Sequence, residues 1–190
     1  MKNKFPIPTL NNFDIFAFYE NAFSSLECET VKKLFTEMDS GKVGGENNLD
    51  EKIRKSKVRF VERDEETDWI FDKLTGFAFN CNLARWHFQL AGFYEGLQLT
   101  EYSEDGSHYD WHMDNGTGDM SIRKLSLILL LDDAADYEGG ELGFIGLNEK
   151  RKFNAGTLIV FPSYVGHKVY PVTKGTRRTV VAWISGDPYK

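Results

Sequence analysis

The sequence predicts an α+β protein: a double-sheet jelly-roll core supported on one face by N-terminal helices. Two observations carry this. Apolar residues recur at helical spacing in two segments before residue 80. From Arg85 onward the pattern switches to alternation and short apolar runs separated by Gly, Asp, Asn and Pro. The 14% aromatic content suits a β-rich core with packed rings.

Each element follows from its local pattern. Ser24–Asp39 reads as the first helix, because Ser24 and Glu27 form a capping box and Cys28, Val31, Leu34, Phe35 and Met38 share one face. The run from Ser40 to Asn48, with Gly41, Gly44 and Gly45, is a polar breaker. This 40–49 loop reads either as a plain connection or as a lid over a substrate. Thr67–Phe79 reads as the second helix, with Trp69, Ile70, Phe71, Leu74 and Phe77 apolar. Trp86, Phe88 and Leu90 alternate with His87 and Gln89, the period of a half-buried strand. Five more strands are expected at Leu97–Tyr102, Lys124–Leu131, Leu142–Ile145, Thr157–Phe161 and Thr179–Ile184. No linker divides the chain. Residues 1–190 therefore read as one domain, with helical support over about 1–80 and the jelly-roll core over about 85–186.

Composition narrows the function classes. A chain of 190 residues buries a self-sufficient core without staples. Its 23 basic and 29 acidic side chains give a net charge of −6, with no basic block, so no nucleic-acid partner is expected. Cys28 and Cys81 form neither a disulfide framework nor a CxxC pair. No apolar run at the N-terminus is long enough for a signal peptide or a membrane span. The expectation is a cytoplasmic protein with no membrane partner.

The chemistry concentrates in one stretch. Glu101–Asp114 ends in His112-Met113-Asp114. Residues two apart on an extended segment face the same way, so His112 and Asp114 can present an imidazole nitrogen and a carboxylate oxygen to one point. His167 follows an apolar strand and a turn. Two histidines and one carboxylate form the facial triad of non-haem Fe(II) oxygenases, which leaves positions open on the metal. Arg177, ten positions later, offers a guanidinium fork to the distal carboxylate of a small ligand.

Four ordered motifs surround these residues. They are Tyr102-x-x-x-Gly106-x-x-Tyr109-x-x-His112-x-Asp114, then the run from Leu125 through Leu131 to Tyr137-x-Gly139-Gly140-Glu141-Leu142. Next come Gly156-Thr157 with Phe161-Pro162-Ser163, and His167-x-Val169-x-Pro171-Val172-x-x-Gly175-x-Arg177. From about Arg54 to the C-terminus, and most densely from Gln98, the chain resembles the Fe(II)/2-oxoglutarate-dependent dioxygenases of the prolyl 4-hydroxylase-like superfamily, in their small bacterial and phage forms.

The resemblance implies a double-stranded β-helix of the cupin-like kind. It implies His112, Asp114 and His167 as iron ligands and Arg177 as the grip on the C5 carboxylate of 2-oxoglutarate. It implies that the Tyr102 hydroxyl contacts 2-oxoglutarate and that Tyr109 and Trp183 line the iron cavity. The implied requirements are Fe(II), 2-oxoglutarate as cosubstrate and O₂, with ascorbate supportive. The implied reaction converts the cosubstrate to succinate and CO₂ and hydroxylates an unactivated C–H bond. Asp114 favours hydroxylation over halogenation, because halogenating relatives lack this carboxylate. The target is a prolyl or other amino-acid residue in a peptide or protein, or else a free amino acid or small metabolite. The alternative is a jelly-roll metal- or ligand-binding module without turnover, or the same triad holding Mn²⁺ or Zn²⁺. Oligomeric state is not legible.

Plainer roles are expected for the neighbours. His87 and Arg178 read as solvent-facing. His108 reads as a neighbour of the triad or as a loop residue. Gly139-Gly140 reads as a turn, and Asp132, Asp133, Asp136 and Glu138 as a solvated acidic loop. Asn115–Met120 follows Asp114 directly, so it is expected at the cavity mouth, where it influences substrate choice.

Overall fold

A computed structural model of the protein describes residues 14–43 and 50–189. The chain enters through β1 (Ala17–Tyr19) and α1 (Ser25–Lys32), then β2 (Asp39–Ser40), β3 (Arg54–Lys55) and β4 (Lys57–Val61). Helix α2 (Asp68–Ala84) leads to β5 (Gly92–Phe93), β6 (Leu97–Ser103) and β7 (His108–His112). A short 3₁₀ turn at Gly118–Ile122 precedes β8 (Arg123–Leu130), β9 (Glu138–Gly139), β10 (Leu142–Phe144) and β11 (Leu158–Pro162). The chain closes with β12 (His167–Val169), β13 (Val172–Lys174) and β14 (Thr176–Ser185).

The major sheet runs β1-β11-β8-β14-β6-β4-β2, with β5 also on β14, and the minor sheet runs β10-β12-β7-β3. The pairings are antiparallel, giving the expected jelly-roll. The central strand β8 is buried throughout, and its parity sorts two cores. Leu125, Leu127 and Leu129 join Val180, Ala182, Leu158 and Val160 against the helices. Ile128 and Leu130 join Ile159, Phe161, Phe144 and Val169 between the sheets. The same alternation on β14 turns Arg177, Thr179, Val181 and Trp183 towards the space between the sheets. Leu129 is fully buried. Leu129→Ala is expected to cost about 2–5 kcal/mol, read as a lower urea midpoint at unchanged slope.

Three expectations change. The capping box is present: the Ser24 hydroxyl accepts from the Glu27 N–H (3.3 Å) and Glu27 accepts from the Ser24 N–H (2.7 Å). The helix nevertheless ends at Lys32, not Asp39. Leu34 and Phe35 bond only three residues back, and the Arg59 guanidinium takes the Leu34 and Thr36 carbonyls at 3.0 and 3.1 Å. Leu34, Phe35 and Met38 still pack on the core, so the spacing is right but the conformation is not helical. Helix α2 runs past Phe79 to Ala84, because Ala78, Cys81 and Asn82 extend its buried face.

The expected strand at Trp86–Leu90 is a loop wrapped around Asn82. The Asn82 carbonyl accepts from the N–H groups of Arg85, Trp86 and His87, and its amide binds both backbone groups of Phe88. His87 takes φ +55°. Among the described residues, no helix is long and apolar enough to cross a membrane.

Candidate active site

Strands β7 and β12 set His112 directly opposite His167. Beyond β7, the N–H groups of Asp114 and Asn115 both reach the Ser163 carbonyl, at 2.9 and 3.1 Å. That tie brings the Asp114 carboxylate to the imidazoles. Asp114 Oδ1 lies 3.7 Å from His112 Nε2, and Oδ2 lies 3.7 Å from His167 Nε2. One donor atom from each residue falls within 4.8 Å of the others. Both Nδ1 atoms face backbone carbonyls: Asp110 at 2.7 Å for His112, and Val165 at 3.0 Å for His167. A carbonyl only accepts, so each Nδ1 carries the proton and each Nε2 lone pair faces the shared gap.

The electrostatics suit a cation there. Burial and the facing His167 hold the His112 imidazole well below the ordinary histidine range, against the pull of Asp114. Burial alone raises the Asp114 carboxyl. The two imidazoles, the Ser126 hydroxyl and Arg123 outweigh it and hold the group below the usual carboxylate range. A neutral imidazole and an ionised carboxylate are the ligating forms of His112 and Asp114.

A hydroxyl relay holds the carboxylate. Ser126 Oγ donates to Asp114 Oδ2 at 2.6 Å and lies 3.0 Å from Ser163 Oγ. Ser126→Ala is expected to weaken divalent-metal binding about tenfold while the protein still folds, checked by Co(II) titration of the metal-free protein. Arg123 donates to the Asp114 carbonyl at 3.0 Å and pairs with Glu95. Its guanidinium also lies 3.7 Å from the centroid of the Trp183 ring.

The triad opens into a cavity of about 1170 Å³, and Tyr102, Tyr109, Arg177 and Trp183 line it too. Arg177 sits opposite Tyr102 in the β6–β14 pair and is 2% exposed. Its guanidinium lies 5.3 Å from the Tyr102 ring centroid and meets the Tyr137 hydroxyl. Its Nε has no partner, and no ion pair reaches it among the described residues. A buried cation left unpaired is costly, and a carboxylate ligand satisfies it. Gly140, at φ +65°, makes room: a Cβ there would lie 2.9 Å from Arg177 Cδ. Gly139, expected in a turn with Gly140, instead ends β9 opposite Val172, and Gly140 shapes the wall behind the arginine.

Burial raises the Tyr102 and Tyr109 hydroxyls, so both stay protonated. The Tyr109 ring stacks on the His112 imidazole, centroids 3.5 Å apart. Trp183 Nε1 is buried without a partner. The donor set of two imidazoles and one carboxylate fits Fe(II), and the unpaired arginine fits a small dicarboxylate reaching from that metal.

Other residues fall outside the triad. His108 opens β7 opposite Lys55, and its ring is held between the carbonyls of Gly106 (2.9 Å) and Lys52 (3.2 Å), away from the triad. His87 is exposed, as expected. Arg178 is not simply solvated: it bonds Asp132 at 3.1 Å and Glu101 at 3.3 Å. Asp132 likewise leaves the acidic loop for the interior, 5% exposed, where Lys32 and Arg178 neutralise it. Asn115, Thr117, Asp119 and Met120 line the mouth, and so do Ser40, Lys42 and Val43. Residues 44–49 of the expected lid lie outside the described residues.

The sequence reading missed Ser126, Arg123, Glu95 and Arg54. Ser126 did carry a signal, since a lone hydroxyl inside an apolar strand needs a buried partner. The ion pair of Glu95 and Arg123 spans 28 positions and leaves no local trace.

Residues 97–185 match the family model described as the 2OG-Fe(II) oxygenase superfamily. A PKHD-type hydroxylase of Synechococcus sp. is 42% identical over 88 residues, covering 45% of this chain and 40% of its own length. A PKHD-type hydroxylase of Hyphomonas neptunium is 39% identical over 92 residues, covering 45% and 41%. These matches span about two fifths of the relatives' length.

Among solved structures, a Pseudomonas putida prolyl-4-hydroxylase aligns at TM-score 0.70 with 20% identity, over 91% of this chain and 93% of its own. A Trichoplax adhaerens prolyl hydroxylase, solved with a hypoxia inducible factor peptide fragment, aligns at TM-score 0.74 with 20% identity, over 90% and 83%. At that identity the structural likeness speaks for the fold alone. The family match covers residues 97–185, just under half of the chain, and makes that stretch similar to the 2OG-Fe(II) oxygenase superfamily and to relatives named as PKHD-type hydroxylases.

Proposed function

We propose that this protein is an Fe(II)- and 2-oxoglutarate-dependent dioxygenase. It hydroxylates an unactivated C–H bond of a prolyl or other amino-acid residue in a peptide or protein, and releases succinate and CO₂. The observation that carries this reading is one cavity holding both the triad of His112, Asp114 and His167 and the unpaired Arg177. Iron-bound 2-oxoglutarate needs both.

In this reading His112, Asp114 and His167 hold the iron, and Arg177 binds the distal carboxylate of the cosubstrate. Tyr102 presents its hydroxyl to the same ligand, and Tyr109 and Trp183 wall the reaction space. Bound together, metal and cosubstrate supply the oxidising chemistry with O₂. The chain's own task is to orient the target carbon and exclude water. The helices and both sheets act as one domain, because the core against α1 and α2 continues into the strands that carry the site.

The cavity volume and its exposed rim residue Met113 favour a peptide segment as the target, rather than a free amino acid or small metabolite. The test is succinate formation by the anaerobically purified protein after addition of Fe(II), ascorbate and O₂. It is run with and without proline-containing peptides and free amino acids, with His112→Ala as control. Iron-dependent succinate that a peptide stimulates and the variant lacks supports the reading. No succinate under any panel member and no binding of Fe(II) or 2-oxoglutarate turns it towards a binding module.

A further inference from the structure

We propose that Arg54 and Tyr109 are positioning residues for the His112 imidazole, and that they join it mechanically to the backbone of residues 41–42 at the cavity mouth. This rests on the reading of His112 as a metal ligand.

Three contacts form the chain of force. The Tyr109 ring lies on the His112 imidazole at 3.5 Å between centroids and 13° between planes. Most aromatic pairs sit about 4.5–7 Å apart. The Arg54 guanidinium lies over the Tyr109 ring, 4.6 Å from its centroid. Arg54 then reaches outward: Nε donates to Ser56 Oγ at 2.9 Å and Nη1 donates to the Lys42 carbonyl at 3.0 Å.

Arg54 is 7% exposed and has no ion pair among the described residues. A buried cation held on a tyrosine face and two neutral acceptors is an expensive way to fill space. Gly41 makes the arrangement possible. A Cβ there would lie 2.5 Å from Ser56 Oγ and 2.8 Å from Arg54 Nε. The chain therefore carries glycine where its backbone must close over the arginine.

The consequence is directional. The Asp110 carbonyl fixes one edge of the His112 ring, and the flat contact with Tyr109 fixes its plane. Removing Arg54 lets Tyr109 swing and frees that plane. Ser40, Lys42 and Val43 line the mouth on the same segment, so displacing residues 41–42 acts on the metal ligand through two intervening side chains, Arg54 and Tyr109.

The test uses Co(II) as the probe, titrated into the metal-free protein and followed by its visible ligand-field bands. Arg54→Met and Tyr109→Leu are expected to weaken Co(II) binding about tenfold and to alter the bands. Tyr109→Phe, which keeps the ring, and Arg54→Lys, which keeps the cation, are expected to restore most of the affinity. Gly41→Ala pushes on Arg54 from outside and is expected to give a smaller loss in the same direction.

Wild-type affinity and bands in Arg54→Met, even with a lowered unfolding midpoint, would make Arg54 structural only and overturn the proposal. Should that variant fail to fold, the comparison of Tyr109→Leu with Tyr109→Phe decides, with equal affinities counting against it. A wild-type protein that binds no Co(II) removes the ligand reading itself, and this proposal with it.

Discussion

Asp114→Ala is expected to lower Fe(II)-dependent conversion of 2-oxoglutarate to succinate by about a thousandfold or more. Among the described residues, Asp114 is the one anionic group facing the two imidazoles, 3.7 Å from each Nε2. Without it two neutral nitrogens remain, too weak a set to hold a hard divalent ion against water. The backbone bonds from residues 114 and 115 to the Ser163 carbonyl do not involve the side chain, so the variant should fold. Asp114→Asn separates charge from shape, since its amide oxygen can still accept from Ser126. The prediction is checked by succinate assay beside a Co(II) titration of each variant. Wild-type affinity in Asp114→Ala would remove this residue from the ligand set.

Arg177→Met is expected to move two observables in opposite directions. The half-saturating 2-oxoglutarate concentration should rise about a hundredfold, because a buried charge-assisted pair is lost. The ligand-free protein should become more stable, by about 1–3 kcal/mol, because an unpaired buried cation gives way to an apolar chain of similar length. The physical basis is the burial of Arg177 at 2% exposure with an orphaned Nε. Thermal melts with and without 2-oxoglutarate read both effects at once. A fall in ligand-free stability with an unchanged 2-oxoglutarate requirement would make Arg177 a structural residue.

Where pattern and conformation are set locally, the sequence was legible. The capping box at Ser24 and the five core strands depend on neighbours within a few positions. The residues of the candidate site were legible for a related reason. His112 and Asp114 are two apart, and His167 and Arg177 lie close in sequence on β12 and β14, one strand from each sheet.

The misreadings were decided by distant partners. The first helix stops because Arg59, more than twenty positions away, takes the Leu34 and Thr36 carbonyls. Trp86–Leu90 has a strand's alternation, but the Asn82 side chain captures Phe88 first. Asp132 looked solvated because its partners, Lys32 and Arg178, come from a helix and a strand far off in sequence. Arg54 escaped notice because its meaning lies in the Tyr109 ring on the adjacent strand.

The central claim is that one cavity binds Fe(II) and 2-oxoglutarate together, through the triad and Arg177. The most direct measurement is an anaerobic titration of Fe(II) into the metal-free protein, with and without 2-oxoglutarate, followed by visible absorption. The account predicts one Fe(II) per chain and a charge-transfer band that needs both components, lost in Asp114→Ala and shifted to higher 2-oxoglutarate in Arg177→Met. Binding of 2-oxoglutarate at equal affinity with and without the metal, and no band in the wild-type protein, would contradict it.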